Sequence, residues 1–241
     1  MTNKYLEELY EIENYHWWFV GTRKIIFSYL KQFVPSKNLK ILDIGCGLGI
    51  NLLKLKEYGK PIGLDYSYET LNLSLKRGAS HLICSDARHI PFKDNIFDLV
   101  TAFDVLEHID EDDNVLKEIY RVCKNGGFFL MTIPAYKFLW SGHDEALKHK
   151  RRYTKKVILR KLKNVNLKPI KISYFNTLFF SPILLFRLLN KFILKNKVGD
   201  HTYKVPKLLN QVLLHIYKIE SFFLKYFNFP FGVSIICLSK K

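Results

Sequence analysis

Residues 40–50 read KILDIGCGLGI. An apolar run carrying one acid, Asp43, meets glycine at every second position: Gly45, Gly47 and Gly49. A short apolar run bounded by glycine reads as a buried strand, and a glycine turn at its end lets the backbone approach a ligand closely. Outward from this stretch the pattern repeats. NLLKLKEYG (51–59) reads as a helix stopped by Gly59, and PIGLD (61–65) as a second strand. Ser67 is placed to cap a helix running to Arg77 and ending at Gly78. HLICSD (81–86), IFDLVTAFD (96–104) and FFLMTIP (128–134) read as three more strands. Asp110 to Cys123, acidic at its start and followed by Asn125-Gly126-Gly127, reads as a helix between the last two.

Strands separated by helices make a parallel sheet covered on both faces. Thr154 then opens a basic helix to about Lys163, LKPIKISYF (167–175) is a sixth strand, and GVSIICL (232–238) a buried seventh. Between these two, Ser181-Pro182 predicts an N-cap followed by proline at the first helical position, with Arg187, Lys191 and Lys195 recurring every four residues. After Pro206, a longer helix carries Lys207, Gln211, His215, Lys218, Ser221, Lys225 and Asn228 as one polar stripe. The expected fold is α/β: a doubly wound, mostly parallel seven-stranded sheet of Rossmann-like type, with a helical insertion before the last strand. The expected organisation is an N-terminal helical cap (1–36), a cofactor-binding core (37–175), a basic amphipathic insertion or lid (176–230) and the final core strand (231–241).

The 241 residues suffice for one sizeable core, and 48% hydrophobic content argues against disorder. The net charge of +16 is unevenly spread: residues 1–144 hold 17 Lys+Arg against 19 Asp+Glu, residues 145–241 hold 21 against 3. Such asymmetry points to an anionic partner, a nucleic acid or an acidic membrane surface. The opening MTNKYLEELYEIENY is too acidic and broken for an export signal. Cys46, Cys84, Cys123 and Cys237 are scattered, with no CxxC and no histidine at ligand spacing, which fits buried thiols in a reducing cytoplasm and no metal.

Each of the first four strands ends at or near an acid: Asp43, Asp65, Asp86 and Asp104. In an open parallel sheet, ligands sit beyond the carboxyl ends of the strands. Four carboxylates there repel a pyrophosphate and suit a ligand of hydroxyls, amines and positive charge. A dinucleotide fingerprint also wants glycine at position 50, where Ile50 stands. S-adenosylmethionine, with its ammonium, sulfonium, ribose and adenine amine, matches this set, and a nicotinamide oxidoreductase is disfavoured.

The stretch 40–108 resembles the class I S-adenosylmethionine-dependent methyltransferases. The resemblance implies that Asp43, Gly45 and Gly47 wrap the methionine part of the cofactor and that Asp65 holds the ribose hydroxyls. It implies that Asp86 and Ala87 contact adenine, and that Asp104 and Leu106, within FDLVTAFDVLEHI, lie beside the cofactor. His108, after Glu107, resembles the Glu-His pair of quinone-type O-methyltransferases. His108 and His143, the latter in WSGHDE, are the two candidate bases for a methyl-accepting hydroxyl. YHWWFVGTRK (15–24) and HDEALKHKRRY (143–153) resemble a broad group of poorly characterised prokaryotic methyltransferases, within which Arg151, Arg152 and Tyr153 shape the acceptor pocket. Trp17, Trp18 and Phe19 are expected to anchor the N-terminal helix on the core.

Nucleic-acid amino-methyltransferases carry an Asp/Asn-Pro-Pro-aromatic tetrad where this chain has Asp104-Val105-Leu106-Glu107, and no Pro-Cys for cytosine-C5 chemistry occurs. A small-molecule or lipid-like acceptor, methylated at oxygen, is therefore expected ahead of nucleic acid. TLFFSPILLF is too short to span a bilayer, which needs about 20 apolar residues. The two Phe- and Leu-rich helices with basic edges fit either a lid over the sheet or peripheral contact with an anionic membrane, at the inner face. The alternative to an enzyme is a basic RNA- or membrane-binding protein with a non-catalytic fold of this type, against which the intact cofactor motifs speak.

Overall fold

A computed structural model describes residues 3–34, 38–192 and 205–241. The expected 36/37 boundary, Lys195 and the Lys191 side chain lie outside what it describes.

Among the described residues, seven strands form one sheet: β1 (Leu39–Ile44), β2 (Gly59–Asp65), β3 (Leu82–Cys84), β4 (Phe97–Phe103), β5 (Cys123–Pro134), β6 (Lys168–Phe175) and β7 (Ser234–Lys240). Their order is β3-β2-β1-β4-β5-β7-β6. The first five run parallel, and β7 enters between β5 and β6 antiparallel to both. The order reverses between β1 and β4, which opens a crevice at their carboxyl ends.

The central strands bury both faces, so neighbouring residues alternate between two cores. Leu42, Val100, Phe129, Met131, Ile235 and Cys237 face the helices α5 (Asp112–Val122) and α7 (Lys155–Asn164). Ile41, Leu99, Leu130, Ile236 and Leu238 face α2 (Trp17–Phe33) and α9 (Lys207–Tyr226). Ser67 accepts from the Thr70 amide at 3.2 Å at the start of α4 (Tyr68–Lys76), and Thr154 from the Val157 amide at 3.4 Å at the start of α7.

Several elements differ from the expected pattern. The helix α3 is short, Ile50–Leu55, because Gly59 already belongs to β2. A Cβ at Gly59 would stand 2.0 Å from the Leu39 carbonyl oxygen, so glycine there permits the β1–β2 approach. β5 begins at Cys123, directly after α5, and absorbs Gly126-Gly127 where a loop was expected. The helix α8 (Phe180–Phe192) starts one residue before Ser181, which is therefore not its cap. Pro182 is its third residue, where a missing N–H still costs no intrahelical bond.

The helix α1 (Asn3–Ile12) precedes α2, and Trp17 at the start of α2 packs on Phe179 and Tyr217, with ring centroids 5.0 and 6.0 Å away. The Asn210 carboxamide of α9 locks this junction, accepting from the Trp17 amide at 2.8 Å and donating to the Tyr15 carbonyl at 3.0 Å. Tyr217, Glu220 and Leu224 are the buried face of α9. Glu220 accepts from the amides of Thr177 and Leu178, at 3.1 and 3.4 Å, where β6 leads into α8.

The expected polar stripe is exposed at Lys207, Gln211, His215, Lys218 and Lys225 of α9, while Ser221 is half-buried; Asn228 is exposed but lies beyond the helix's end at Tyr226. Beside it runs an exposed apolar stripe that the pattern did not suggest: Leu208, Val212, Ile219, Phe222 and Tyr226. Among the described residues, no helix is long and apolar enough to cross a membrane.

Candidate active site

The crevice at the β1/β4 switch holds a cavity of ≈ 760 Å³, within the range of small-molecule and cofactor sites, roughly 300–1,000 Å³. Its floor is the loop after β1. Gly45 has φ +63°, and a Cβ there would stand 2.4 Å from a methyl of Val105. Only glycine takes both that left-handed conformation and that contact without strain. At Gly47 an added Cβ would meet nothing nearer than the Gly45 carbonyl oxygen, at 3.9 Å, so the loop presents bare backbone to the cavity.

Asp65, at the end of β2, ties this loop to the next. Its Oδ2 accepts from the Gly47 amide at 2.9 Å and its Oδ1 from the Ser67 amide at 2.9 Å. Burial raises its pKa while those amides oppose the rise. Asp86, two residues after β3, is gripped by Arg88, whose Nη2 donates to Oδ2 at 2.6 Å. Hydrogen bonding from Arg88 lowers the Asp86 pKa, and Arg88 also pairs with Glu111. Ala87 lies beside it in the cavity wall. Asp104, just after β4, has φ +54° and is exposed into the cavity deep within the protein, where desolvation raises its pKa.

Gly45, Gly47, Asp65, Asp86, Ala87, Asp104 and His108 thus converge on one cavity. Asp43, Leu106 and His143 stand outside its lining. Asp43 is buried in β1 opposite Thr101 of β4, whose hydroxyl donates to it at 2.6 Å. Burial pushes its pKa up to about 7. Leu106 is wholly buried in the core facing α5. His143 lies on α6 (Gly142–Ala146), with its ring centroid 6.3 Å from that of His149.

The sequence pattern missed the cavity's roof. Leu6, Leu9 and Glu13, in and just after α1, complete the wall. Glu13 is pinned by the Arg77 guanidinium, and its carbonyl accepts from Arg23. No local motif flags these residues, because they meet the sheet only through folding.

The segment after β5 forms a polar network beneath the cavity. Arg152 holds the buried Asp144 through Nε and Nη2, at 2.7 and 2.9 Å, and His149 Nδ1 lies 2.8 Å from the same carboxylate. Arg151 pairs with Asp112 at 2.9 Å, and the buried Tyr153 hydroxyl donates to Asp112 at 2.9 Å. None of Arg151, Arg152 and Tyr153 lines the cavity; they brace the segment that carries His149. His108 faces the cavity, and burial lowers its pKa to about 4, so it is a neutral imidazole at pH 7.

Residues 42–131 match the family model described as a methyltransferase domain. The chain is 32% identical over 186 residues to an uncharacterised protein of Methanocaldococcus jannaschii, covering 76% of each. It is 38% identical over 108 residues to a demethylmenaquinone methyltransferase of Lactiplantibacillus plantarum, which spans 40% of this chain and 46% of that protein. The fold is similar to that of a SAM-dependent methyltransferase from Archaeoglobus fulgidus, with a TM-score of 0.59 at 19% identity over 93% of this chain and 94% of the other.

Proposed function

The chain belongs to the class I S-adenosylmethionine-dependent methyltransferases, and on that premise we propose that it methylates an oxygen atom of a small, lipid-like acceptor presented from an anionic membrane surface. The observation that carries the reading is the cavity itself. Bare glycine backbone at Gly47 and the acids Asp65, Asp86 and Asp104 suit a cationic, hydroxyl-bearing cofactor and repel a pyrophosphate. Bound S-adenosylmethionine supplies a methyl group on positively charged sulfur, so an acceptor oxygen forms the new O–C bond as the S–C electron pair stays on sulfur.

In this reading Gly45 and Gly47 hold the methionine part, Asp65 the ribose hydroxyls, and Asp86 with Ala87 the adenine. Asp43 stiffens the loop from below, and Leu106 backs the cofactor's wall. Displacement of this kind needs alignment and exclusion of water more than covalent chemistry. Leu6 and Leu9 supply the apolar cover. The acceptor hydroxyl must also lose a proton, and His108 is the imidazole in the cavity wall that can take it; the burial that keeps it neutral also makes it a weak base. His143 stands behind His149 and steadies that ring rather than meeting the acceptor.

The lipid-like and membrane parts rest on α9. Leu208 is 76% exposed, Phe222 55% and Tyr226 65%. These fall in one stripe flanked by Lys207, Lys218 and Lys225, the arrangement of an interfacial helix. Each basic residue near an anionic surface contributes about 1 kcal/mol. A relative is named for demethylmenaquinone, a quinone, which accords with an apolar acceptor.

The test is transfer of a ¹³C-labelled methyl group from S-adenosylmethionine to hydroxylated aromatic and quinol acceptors held in anionic micelles. A labelled methyl ether supports the reading. A label on carbon or nitrogen, or no transfer to any of these acceptors, overturns it.

A further inference from the structure

Glu107, His108 and His149 bring one potential ligand atom each to within 4.8 Å of one another. Two are neighbours after β4, while His149 arrives from 41 positions further on. Glu107 is fully buried, and among the described residues neither of its carboxylate oxygens has a hydrogen-bond partner. A buried carboxylate in that state is costly, and the acids Asp104 and Asp144 nearby add to the cost. Arg152 is already engaged with Asp144 and Ala135. The cluster therefore offers two buried oxygen atoms that no hydrogen bond claims, beside two imidazoles.

We propose that Glu107, His108 and His149 bind a divalent transition-metal ion at the inner wall of the cofactor cavity, where it holds the acceptor's hydroxyl. His149 is arranged as a metal-ligating imidazole usually is, with its other nitrogen tied to a carboxylate. His149 Nδ1 bonds to Asp144 Oδ1, at 2.8 Å, which leaves the lone pair on Nε2. The rings of His108 and His149 meet edge to face with centroids 4.6 Å apart. Metal bonds of about 2.1 Å set ligand atoms roughly 3.0–3.5 Å apart, so the three side chains draw in by about 1–2 Å around the ion.

Two imidazoles and one carboxylate suit zinc, manganese or iron(II) better than calcium or magnesium, which prefer all-oxygen shells. Three protein ligands also leave a coordination position open. His108 lines the cavity, so that position faces the acceptor's place. A metal-bound hydroxyl loses its proton to water near neutral pH, leaving the oxygen nucleophile ready. With the ion bound, His108 is a ligand rather than the base for the hydroxyl, and the proton leaves to solvent. The inference rests on the oxygen-methylation reading for its purpose, though not for the site itself.

The test begins with chelator-treated, full-length protein titrated with Zn²⁺ and Mn²⁺ by calorimetry, with Co²⁺ as a visible-absorption probe. The expected result is one ion per chain and a Co²⁺ spectrum of a nitrogen–oxygen site. Glu107→Gln, which keeps the side-chain shape, and His149→Gln should each weaken binding at least 30-fold while S-adenosylmethionine still binds. His108→Asn is the further variant should His149→Gln fail to fold. Absence of a stoichiometric ion, or affinity unchanged in these variants, overturns the site. Cofactor binding without an ion defeats this inference alone, whereas an ion without cofactor binding defeats the methyltransfer reading alone.

Discussion

The Gly47 amide donates to Oδ2 of Asp65 at 2.9 Å, joining the loop after β1 to the end of β2. This bond closes the floor of the cavity from two strands at once, and Asp65 is half of it. Asp65→Ala is expected to remove both the loop's tether and the ribose acceptor. Calorimetric titration with S-adenosylmethionine should show affinity reduced at least 30-fold. Unchanged affinity would dissociate Asp65 from the cofactor.

Gly45 supports a second prediction, on stability. Ala at φ +63° bears roughly 1–2 kcal/mol of left-handed strain, and the Val105 contact adds overpacking of about 1–3 kcal/mol. Gly45→Ala should therefore unfold at clearly lower urea than wild type. Adding Val105→Ala should restore the packing part only, and a full return to wild-type stability would contradict the strain argument.

Asp43 supports a third, on pH. Its folded pKa is raised to about 7 by burial, above an unfolded value near ~3.9. The folded state thus holds this proton more tightly, so its contribution to stability is greatest in acid and declines as pH rises from about 4 to 7. Asp43→Asn keeps an acceptor for Thr101 and removes the titration. The variant should gain on wild type across that window, by at most about 4 kcal/mol in the protein without cofactor. A stability difference that stays flat from pH 4 to 7 would refute it.

The exposed stripe of α9 supports a fourth. Ile219→Ser, Phe222→Ser and Tyr226→Ser together replace three exposed apolar side chains without touching Tyr217, Glu220 or Leu224 beneath. Flotation with anionic vesicles at low salt should show binding by wild type and a several-fold loss in the triple variant. Equal flotation, or none by wild type, would exclude the stripe as a membrane contact.

Much of the fold was legible in the chain because its signals are local. Gly45 and Gly47 sit in the turn they make, Asp65 ends the strand it closes, and Ser67 caps the helix it precedes. Signals failed where packing overrode them. Gly126-Gly127 reads as a helix-to-strand loop, yet β5 absorbs both, since α5 ends directly at Cys123. Ser181-Pro182 reads as a helix start, yet Glu220, 39 residues away, takes the preceding amides and lets α8 begin at Phe180. The polar stripe of α9 was legible, whereas its exposed apolar neighbour was not, because periodicity marks apolar faces without saying which of them is covered.

By itself, the sequence determined the order of strands and helices, the glycine loop and the acids at the strand ends, and so the family. These follow from backbone sterics and short-range periodicity, which act within a few residues. Only the tertiary structure decided that Leu6 and Glu13 roof the cavity, that Asp43 and Leu106 lie behind its wall, and that His149 meets Glu107 and His108. Those meetings depend on sheet topology and on which faces the core buries. Asp144 and Arg152 then hold His149 there through a charge pair that no spacing along the chain reveals.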